Sequence, residues 1–399
     1  MEKILTKIRT LSPHSLFSEE LNSNRIFGLD LLRFFAIVTV IIDHGKFIFP
    51  KKIMELHNYI KFDGVTVFFV LSGFLIGGIL IKQLEHHQAS FSLLLDFWVR
   101  RWFRTLPTYF LILTILTVCY SIKDPLFTFD KMASYYIFCQ NLTDARPPYF
   151  PESWSLSVEE WFYLTIPVLI FALIILFRCK PKNSILSIAL FILGAVSFLR
   201  YSVYINHDIE KSQVLYHIVI YRLDSIMYGV IGAYIHYYHS KYWSLIPRYL
   251  FLGGIFLIVL QKYFSISIIH NTFPDIAGLY YVVFELSITS IAALLLLPYL
   301  SGLKKIKYKI SYVITIISIL SYSMYLTHMS LIKDMIIYSI PWRDFTKSYR
   351  IIIPAMYFLY WGLTLVFSAL IYKVYEFPIT QLRERFSNYK KTKSLYLNK

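Results

Sequence analysis

Charged side chains are scarce in this sequence. Only 16% of its 399 residues are Asp, Glu, Lys or Arg, whereas a soluble domain carries about 25%. Cysteine is scarcer still, and Cys119, Cys139 and Cys179 show neither zinc-ligand spacing nor the even count of a disulfide framework. No Walker loop, G-x-S-x-G, H-E-x-x-H or C-x-x-C pattern occurs. The excess of apolar residues, 57% of the chain, over charged ones excludes a disordered chain, a collagen-like fibre and a disulfide-stapled secreted module.

Apolar residues make up 57% of the chain and fall into long blocks. A helix needs about 20 mostly apolar residues to cross a bilayer. The sequence therefore predicts an all-α membrane protein, a polytopic bundle of about ten transmembrane helices. The predicted spans are 28–49, 60–81, 104–121, 157–177, 184–202, 214–237, 248–265, 278–299, 312–334 and 351–374. The predicted domains are an N-terminal arm at 1–26, a transmembrane domain at 27–378 and a basic tail at 379–399.

The net charge of +16 is interpreted first in terms of how the chain is oriented in the membrane. If both termini are cytoplasmic, the cytoplasmic connections hold 23 of the 40 Lys and Arg residues, as the positive-inside rule requires. The excess of positive charge then serves orientation and attraction to anionic lipids. We expect membrane lipids as partners and no nucleic acid.

Ionisable residues inside the first predicted span carry the most information, because charges in a span are costly unless they pair or face a cavity. The segment contains Asp30, Arg33, Asp43 and His44. Arg33 and His44 are eleven residues apart, which places them on one helix face about 16 Å apart along the axis. Asp30 can pair with Arg33. The pattern predicts a polar path along this face; alternatively, Arg33 snorkels to the cytoplasm and His44 only caps the outer helix end.

A cluster of arginines precedes the third span in RRWFRTLP. Arg101 and Arg104 lie on one helical face, and arginine forks bind phosphate. They could anchor a phosphorylated cytoplasmic donor, or they could be an ordinary positive-inside cluster. In the second span, the Gly73–Gly77 spacing favours close helix packing, and Ser72 could line the polar path.

Two carboxylates lie near the start of the fourth predicted span. Ser157 and Glu160 have the spacing of a capping box. Glu159 has no such local partner and is expected to meet His44 near the outer membrane surface, where it would hold the imidazole tautomer. Tyr163 could belong to an interfacial aromatic belt.

Polar residues also occur in later spans. Arg222 and Asp224 share one apolar block, and Tyr322 and His328 lie in SYSMYLTHMS. Together with Tyr163, these residues are the expected substrate-binding set.

Seven segments stand out in chain order: GLDLLRFFAI…DHG, DGVTVFFVLSGFLI, RRWFRTLP, WSLSVEEWFYL, YRLDSIMYGVIGA, ILSYSMYLTH and VYEFP. In these segments the chain resembles the acyltransferase-3 family of integral membrane O-acyltransferases, over roughly residues 27–378. The resemblance implies a ten-helix domain that moves an acyl group from a coenzyme A thioester to a hydroxyl, usually on a surface carbohydrate. Acyl-CoA, most simply acetyl-CoA, would be the co-substrate, and no metal is expected.

The resemblance also implies roles for individual residues. His44 matches the essential histidine and Arg33 its partner arginine, while Arg101 and Arg104 match the pair linked to donor binding. Glu159 matches the glutamate of the WSL segment. Ser72 is grouped with the donor-binding residues. Two positions depart from the family's pattern, namely Asp43 before the histidine and Thr327 before His328.

The sequence thus predicts an acyl-CoA-dependent O-acyltransferase that modifies a carbohydrate or lipid-linked glycan, in a bacterial plasma membrane with both termini cytoplasmic. The alternative is a proton-coupled transporter or flippase of a polar metabolite, since buried Arg, His and Asp also describe such carriers. The absence of internal repeats argues against a transporter. A sensing protein without chemistry, or an acyltransferase with a longer or charged acyl donor, also fits the residues.

Overall fold

The structure is a computed structural model. It describes residues 17, 25–60, 62–123, 128, 130–143, 149–206, 215–263, 278–304 and 309–386. Most of the predicted N-terminal arm and the tail from 387 lie outside the described residues. The structure is 88% helical, and its described part holds no strand, which confirms the all-α fold class.

The helices follow the apolar blocks of the sequence. In chain order they are α1 (Phe27–Gly45), α2 (Lys51–Ile60), α3 (Gly64–His86), α4 (Phe91–Lys123), α5 (Asp130–Tyr136), α6 (Ser153–Phe177), α7 (Pro181–Ile205), α8 (Leu223–Tyr238), α9 (Ser240–Trp243), α10 (Pro247–Tyr263), α11 (Glu285–Gly302), α12 (Lys309–Thr327), α13 (Trp342–Phe345), α14 (Tyr349–Ile371) and α15 (Phe377–Phe386).

Seven helical segments of the described chain are long and apolar enough to cross a membrane. They are α3, α4, α6 and α7, and the helical stretches that contain α11, α12 and α14. The other three predicted spans correspond to α1, α8 and α10, which have 19, 16 and 17 residues. A polytopic membrane bundle is therefore supported, and the count of ten stays a prediction.

In the part of the chain that the structure describes, three helices contain or adjoin a π-helical turn, in which the backbone is wider than in an α-helix. These turns span Tyr280–Phe284, His328–Ile336 and Tyr372–Glu376. The second begins at His328, one of the residues singled out in the sequence. Such turns are frequent at functional sites.

Glycines let the central helices pack backbone to backbone. A Cβ atom on Gly73 of α3 would lie 1.9 Å from the carbonyl oxygen of Ile226 in α8. A Cβ on Gly229 of α8 would lie 2.0 Å from the carbonyl oxygen of Val70. This contact confirms that the small-residue face of the second span is a packing face. Helix α1 contacts α3, α11 and α12, and this arrangement positions the site.

Helix α6 begins four residues earlier than predicted, at Ser153 rather than 157. Ser157 and Glu160 therefore lie in the second and third turns, so the predicted capping box is wrong. The Ser157 hydroxyl donates to the carbonyl of Ser153 at 3.4 Å, and Glu160 accepts a 2.7 Å hydrogen bond from Thr105 of α4. Glu160 thus links α6 to α4 and caps neither helix.

Candidate active site

Two cavities are lined by opposite ends of α1. The arginine cavity contains Arg33, Arg101, Arg104, Ser72, Glu159, Tyr163 and Tyr322 in its lining. The histidine cavity contains His44, Asp43, Asp63, Glu152, Trp154 and Tyr216. The residues predicted for donor binding therefore meet in one place, and His44 lies in the other.

The arginine cavity gathers positive charge from two helices. Arg33 of α1 lies 3.5 Å from Asp30 Oδ1, which confirms the predicted pair. Arg101 is buried, and its Nε has no hydrogen-bond partner among the described residues. A buried guanidinium donor without an acceptor is costly. An anionic ligand in the cavity would supply that acceptor, as the phosphates of a nucleotide can.

A chain of hydroxyl and carboxyl groups borders the same cavity. Tyr163 Oη donates to Glu159 Oε2 at 3.2 Å and lies 2.9 Å from the hydroxyl of Ser72. The Glu159 carboxylate also interacts electrostatically with Arg104 and with Arg33. Tyr322 Oη donates to the carbonyl of Thr105 at 2.6 Å. The structure thus joins Ser72, Tyr163 and Glu159 into one unit.

The expected pairing of Glu159 with His44 does not agree with these positions. Because α6 begins at Ser153, Glu159 lies about 9 Å along the helix from its first residue. That displacement carries the carboxylate away from the end of the bundle where His44 lies and into the arginine cavity. The group that meets His44 is another histidine.

His44 and His328 form an in-plane pair. His44 Nδ1 lies 2.6 Å from His328 Nε2, and the two ring planes differ by 5°. His328 Nδ1 faces two main-chain carbonyls, those of Tyr325 at 2.7 Å and Met324 at 3.1 Å. Carbonyl oxygens only accept, so His328 carries its proton on Nδ1 and its lone pair on Nε2. His44 must then donate from Nδ1, which leaves the lone pair on its own Nε2.

Glu152 is a site residue that the sequence reasoning missed. It directly precedes α6 and is only 1% exposed, in the wall of the histidine cavity. Its carboxylate accepts from the amide of Ser330 at 3.0 Å and from the hydroxyl of the same residue at 2.6 Å. Burial raises the pKa of Glu152 to about 7, and the two bonds from Ser330 oppose that rise. The sequence feature that could have pointed to Glu152 is its position as a carboxylate at the edge of an apolar block.

The linings of the two cavities meet on α3. Val65 lines both of them, and Ser155 and Tyr325 line the arginine cavity. The hydroxyl of Ser155 donates to Tyr325 Oη at 2.7 Å. The ring of Tyr325 is 5.7 Å from the ring of His328. Tyr325 thus connects the lining of the arginine cavity to the histidine pair.

The two charged residues predicted in the sixth span have separate surroundings. Arg222 is fully buried behind the aromatic wall of the histidine cavity, with its guanidinium 4.5 Å from the ring of Tyr216 and bonded to Thr66. Asp224 lies in neither cavity lining. It forms a buried 2.6 Å ion pair with Arg200 of α7, a residue that the sequence analysis did not single out. We therefore place Asp224 outside the proposed site.

Comparisons with known proteins identify a family and individual relatives of this chain. A family model described as "Acyltransferase domain", of the acyltransferase-3 type, matches residues 26–373. O-acetyltransferase OatA of Staphylococcus aureus is 34% identical over 221 residues, which is 52% of this chain and 34% of the relative. Peptidoglycan O-acetyltransferase OatA of Listeria monocytogenes is 29% identical over 204 residues, 47% of this chain and 30% of the relative. No solved structure matches the chain.

The alignments with these curated relatives span about a third of the relatives' length. The family match, in contrast, covers most of this chain, including His44, the arginine cavity and His328. The chain therefore belongs to the acyltransferase-3 family.

Proposed function

We propose that this protein is a membrane O-acetyltransferase. It takes an acetyl group from acetyl-CoA bound in the arginine cavity and transfers it to a hydroxyl of a glycan in the histidine cavity. The observation that carries the proposal is that a three-arginine cavity and the cavity lined by His44 of the histidine pair share Val65 in their linings. The names of the Staphylococcus and Listeria relatives support O-acetyl transfer, and the Listeria name supports a peptidoglycan acceptor.

Charge and burial support the arginine cavity as the place where the acyl donor binds. Arg33, Arg101 and Arg104 face the arginine cavity, and among the described residues its lining contains one carboxylate, Glu159. Excess positive charge at a site partly shielded from water favours a ligand with several phosphates. The positive-inside distribution of Lys and Arg supports a cytoplasmic position for this cavity, and acyl-CoA is a cytoplasmic metabolite.

The chemistry follows from the histidine tautomers. His44 Nε2 takes the proton of the acceptor hydroxyl as its oxygen attacks the thioester carbonyl carbon. The tetrahedral intermediate collapses, the carbon–sulfur bond breaks, and the imidazolium of His44 gives its proton to the departing sulfur. His328 keeps its proton on Nδ1 throughout and orients His44 by accepting from its Nδ1–H. This is the role a carboxylate has in other catalytic histidine pairs.

The test is acetyl transfer by the purified protein in lipid nanodiscs. Acetyl-CoA and purified peptidoglycan glycan strands are supplied, and both free thiol and ester-linked acetate are measured. The wild-type protein should transfer, whereas His44→Ala should bind acetyl-CoA and transfer nothing.

His236→Ala is the matched control, because this histidine of α8 lies in neither cavity lining, and it should behave as wild type. Full activity in His44→Ala would remove His44 from the mechanism. No thiol release by the wild-type protein with any hydroxyl acceptor, together with proton-coupled solute movement, would replace the proposal with the transporter alternative.

A further inference from the structure

The helix that carries His328 changes its winding at this residue. Helix α12 ends at Thr327, and the π-helical turn begins at His328. In an uninterrupted α-helix, the amide of Ser330 would donate to the carbonyl of the residue four positions earlier. Here the amide of Ser330 donates to a carboxylate oxygen of Glu152. A side chain from another helix end thus accepts a main-chain donor where the winding changes.

Glu152 contacts this turn on both sides of His328. Its carboxylate accepts two hydrogen bonds from Ser330, two residues after the histidine. Its main-chain carbonyl accepts from Tyr325 Oη at 3.0 Å, three residues before the histidine. The carbonyl of Tyr325 in turn accepts from His328 Nδ1. The segment that sets the position and tautomer of His328 is therefore held by one residue at the start of α6.

The carboxylate of Glu152 does not cap the helix that this residue precedes. Glu152 is the N-cap residue of α6, yet its side chain makes no capping hydrogen bond to that helix. Withdrawing a carboxylate from water costs several kcal/mol unless its partners compensate. An apolar residue would avoid this cost if Glu152 served only to fill space. The bonds to Ser330 are thus the specific contribution of this side chain.

We propose that Glu152 is a positioning residue of the transfer reaction. By holding the segment from Tyr325 to Ser330, it fixes the orientation of His328. Through His328 it fixes the Nδ1–H tautomer of His44. This inference rests on the proposed function. It differs from a purely structural role in one respect, because loss of the carboxylate should affect the transfer step and spare donor binding in the other cavity.

The test compares Glu152→Ala, Glu152→Gln and Ser330→Ala in the full chain, with acetyl-CoA and peptidoglycan glycan strands. In Glu152→Ala, kcat should fall about 100-fold while the KM for acetyl-CoA stays within about twofold, since a displacement near 1 Å costs this much in rate. Glu152→Gln should recover most of kcat, because its amide oxygen can still accept from Ser330. Ser330→Ala removes one of the two bonds and should lie between wild type and Glu152→Ala.

Glu376→Ala is the matched control. Glu376 is also a buried carboxylate that accepts from a serine of α12, Ser323 at 2.5 Å, but it lies in neither cavity lining. Its loss should lower the melting temperature and leave kcat near the wild-type value. Should Glu152→Ala not fold, Ser330→Ala decides: reduced kcat at unchanged KM supports the inference, and wild-type kcat overturns it.

The two proposals fail in different ways. If the wild-type protein transfers acetate and His44→Ala does not, while Glu152→Ala keeps wild-type kcat, only the positioning role is overturned. If the wild-type protein transfers no acetate, the proposed function itself fails.

Discussion

Replacing His328 tests the histidine pair most directly. In His328→Phe, a ring of similar size fills the site but offers no acceptor to His44 Nδ1. In His328→Gln, an amide oxygen can take over the acceptor role of Nε2, which lies 2.6 Å from His44 Nδ1 in the structure. The two variants therefore separate the loss of a hydrogen bond from the loss of the side chain's volume.

The size of the effect follows from what His328 does. A hydrogen bond between neutral groups contributes about 0.5–1.5 kcal/mol, so lost orientation alone costs up to about tenfold in rate. If His44 also adopts the tautomer with its proton on Nε2, it cannot accept the acceptor's proton, and losses of about 10⁴-fold are known for such a change in other enzymes. We therefore expect kcat in His328→Phe to fall by at least about twofold, and by up to about 10⁴-fold if the tautomer also changes.

The assay is steady-state acetyl transfer in nanodiscs, with donor affinity measured separately by calorimetry. His328→Gln should recover part of the rate lost in His328→Phe, and both variants should bind acetyl-CoA as the wild type does, because the arginine cavity is unchanged. A wild-type kcat in His328→Phe would refute the assignment of His328 as the orienting group.

Four further outcomes are expected. Replacing both α4 arginines of the arginine cavity with Gln should weaken coenzyme A binding by roughly tenfold or more, and most at low salt; calorimetry that finds unchanged affinity would reduce them to a topology signal. Glu159→Gln should tighten acetyl-CoA binding, since it removes a negative charge beside three arginines; weaker binding would contradict this. Gly73→Ala should lower the melting temperature by overpacking against α8, whereas Gly78→Ala, with nothing within 4 Å of the added Cβ, should not. Because the folded-state pKa of Glu152 is raised from 4.5 to about 7, the wild type should lose about 3 kcal/mol of stability relative to Glu152→Gln as pH rises through that window; parallel stability curves would contradict the raised pKa.

The sequence predicted the parts of the site that depend on spacing within one helix. Arg33 and His44 lie on one helix, α1, and the Asp30–Arg33 pair forms. Arg101 and Arg104, three residues apart, both face the arginine cavity. These relations need only the helical repeat, which the apolar pattern supplies.

The misjudged parts depend on where a helix begins and how it winds. The start of α6 at Ser153 displaced Glu159 from the expected end of the bundle and brought Glu152 into the site. The π-helical turn that begins at His328 places the residues of this segment on other helix faces than a continuous α-helical repeat would. The Arg200–Asp224 pair joins two helices, and no local pattern links its partners.

The placement of the arginine cavity and the histidine cavity at opposite ends of α1 has a consequence for how the transfer is driven. On the proposed mechanism, the acetyl group leaves the cytoplasm while the proton of the acceptor hydroxyl moves the other way and ends on the coenzyme A sulfur. Hydroxyl, ester, thioester and thiol are all uncharged, so the turnover exchanges an acyl group for a proton without net movement of charge. The membrane potential therefore neither drives nor opposes the transfer, and the free energy of the thioester alone moves the acetyl group to the far side of the bilayer.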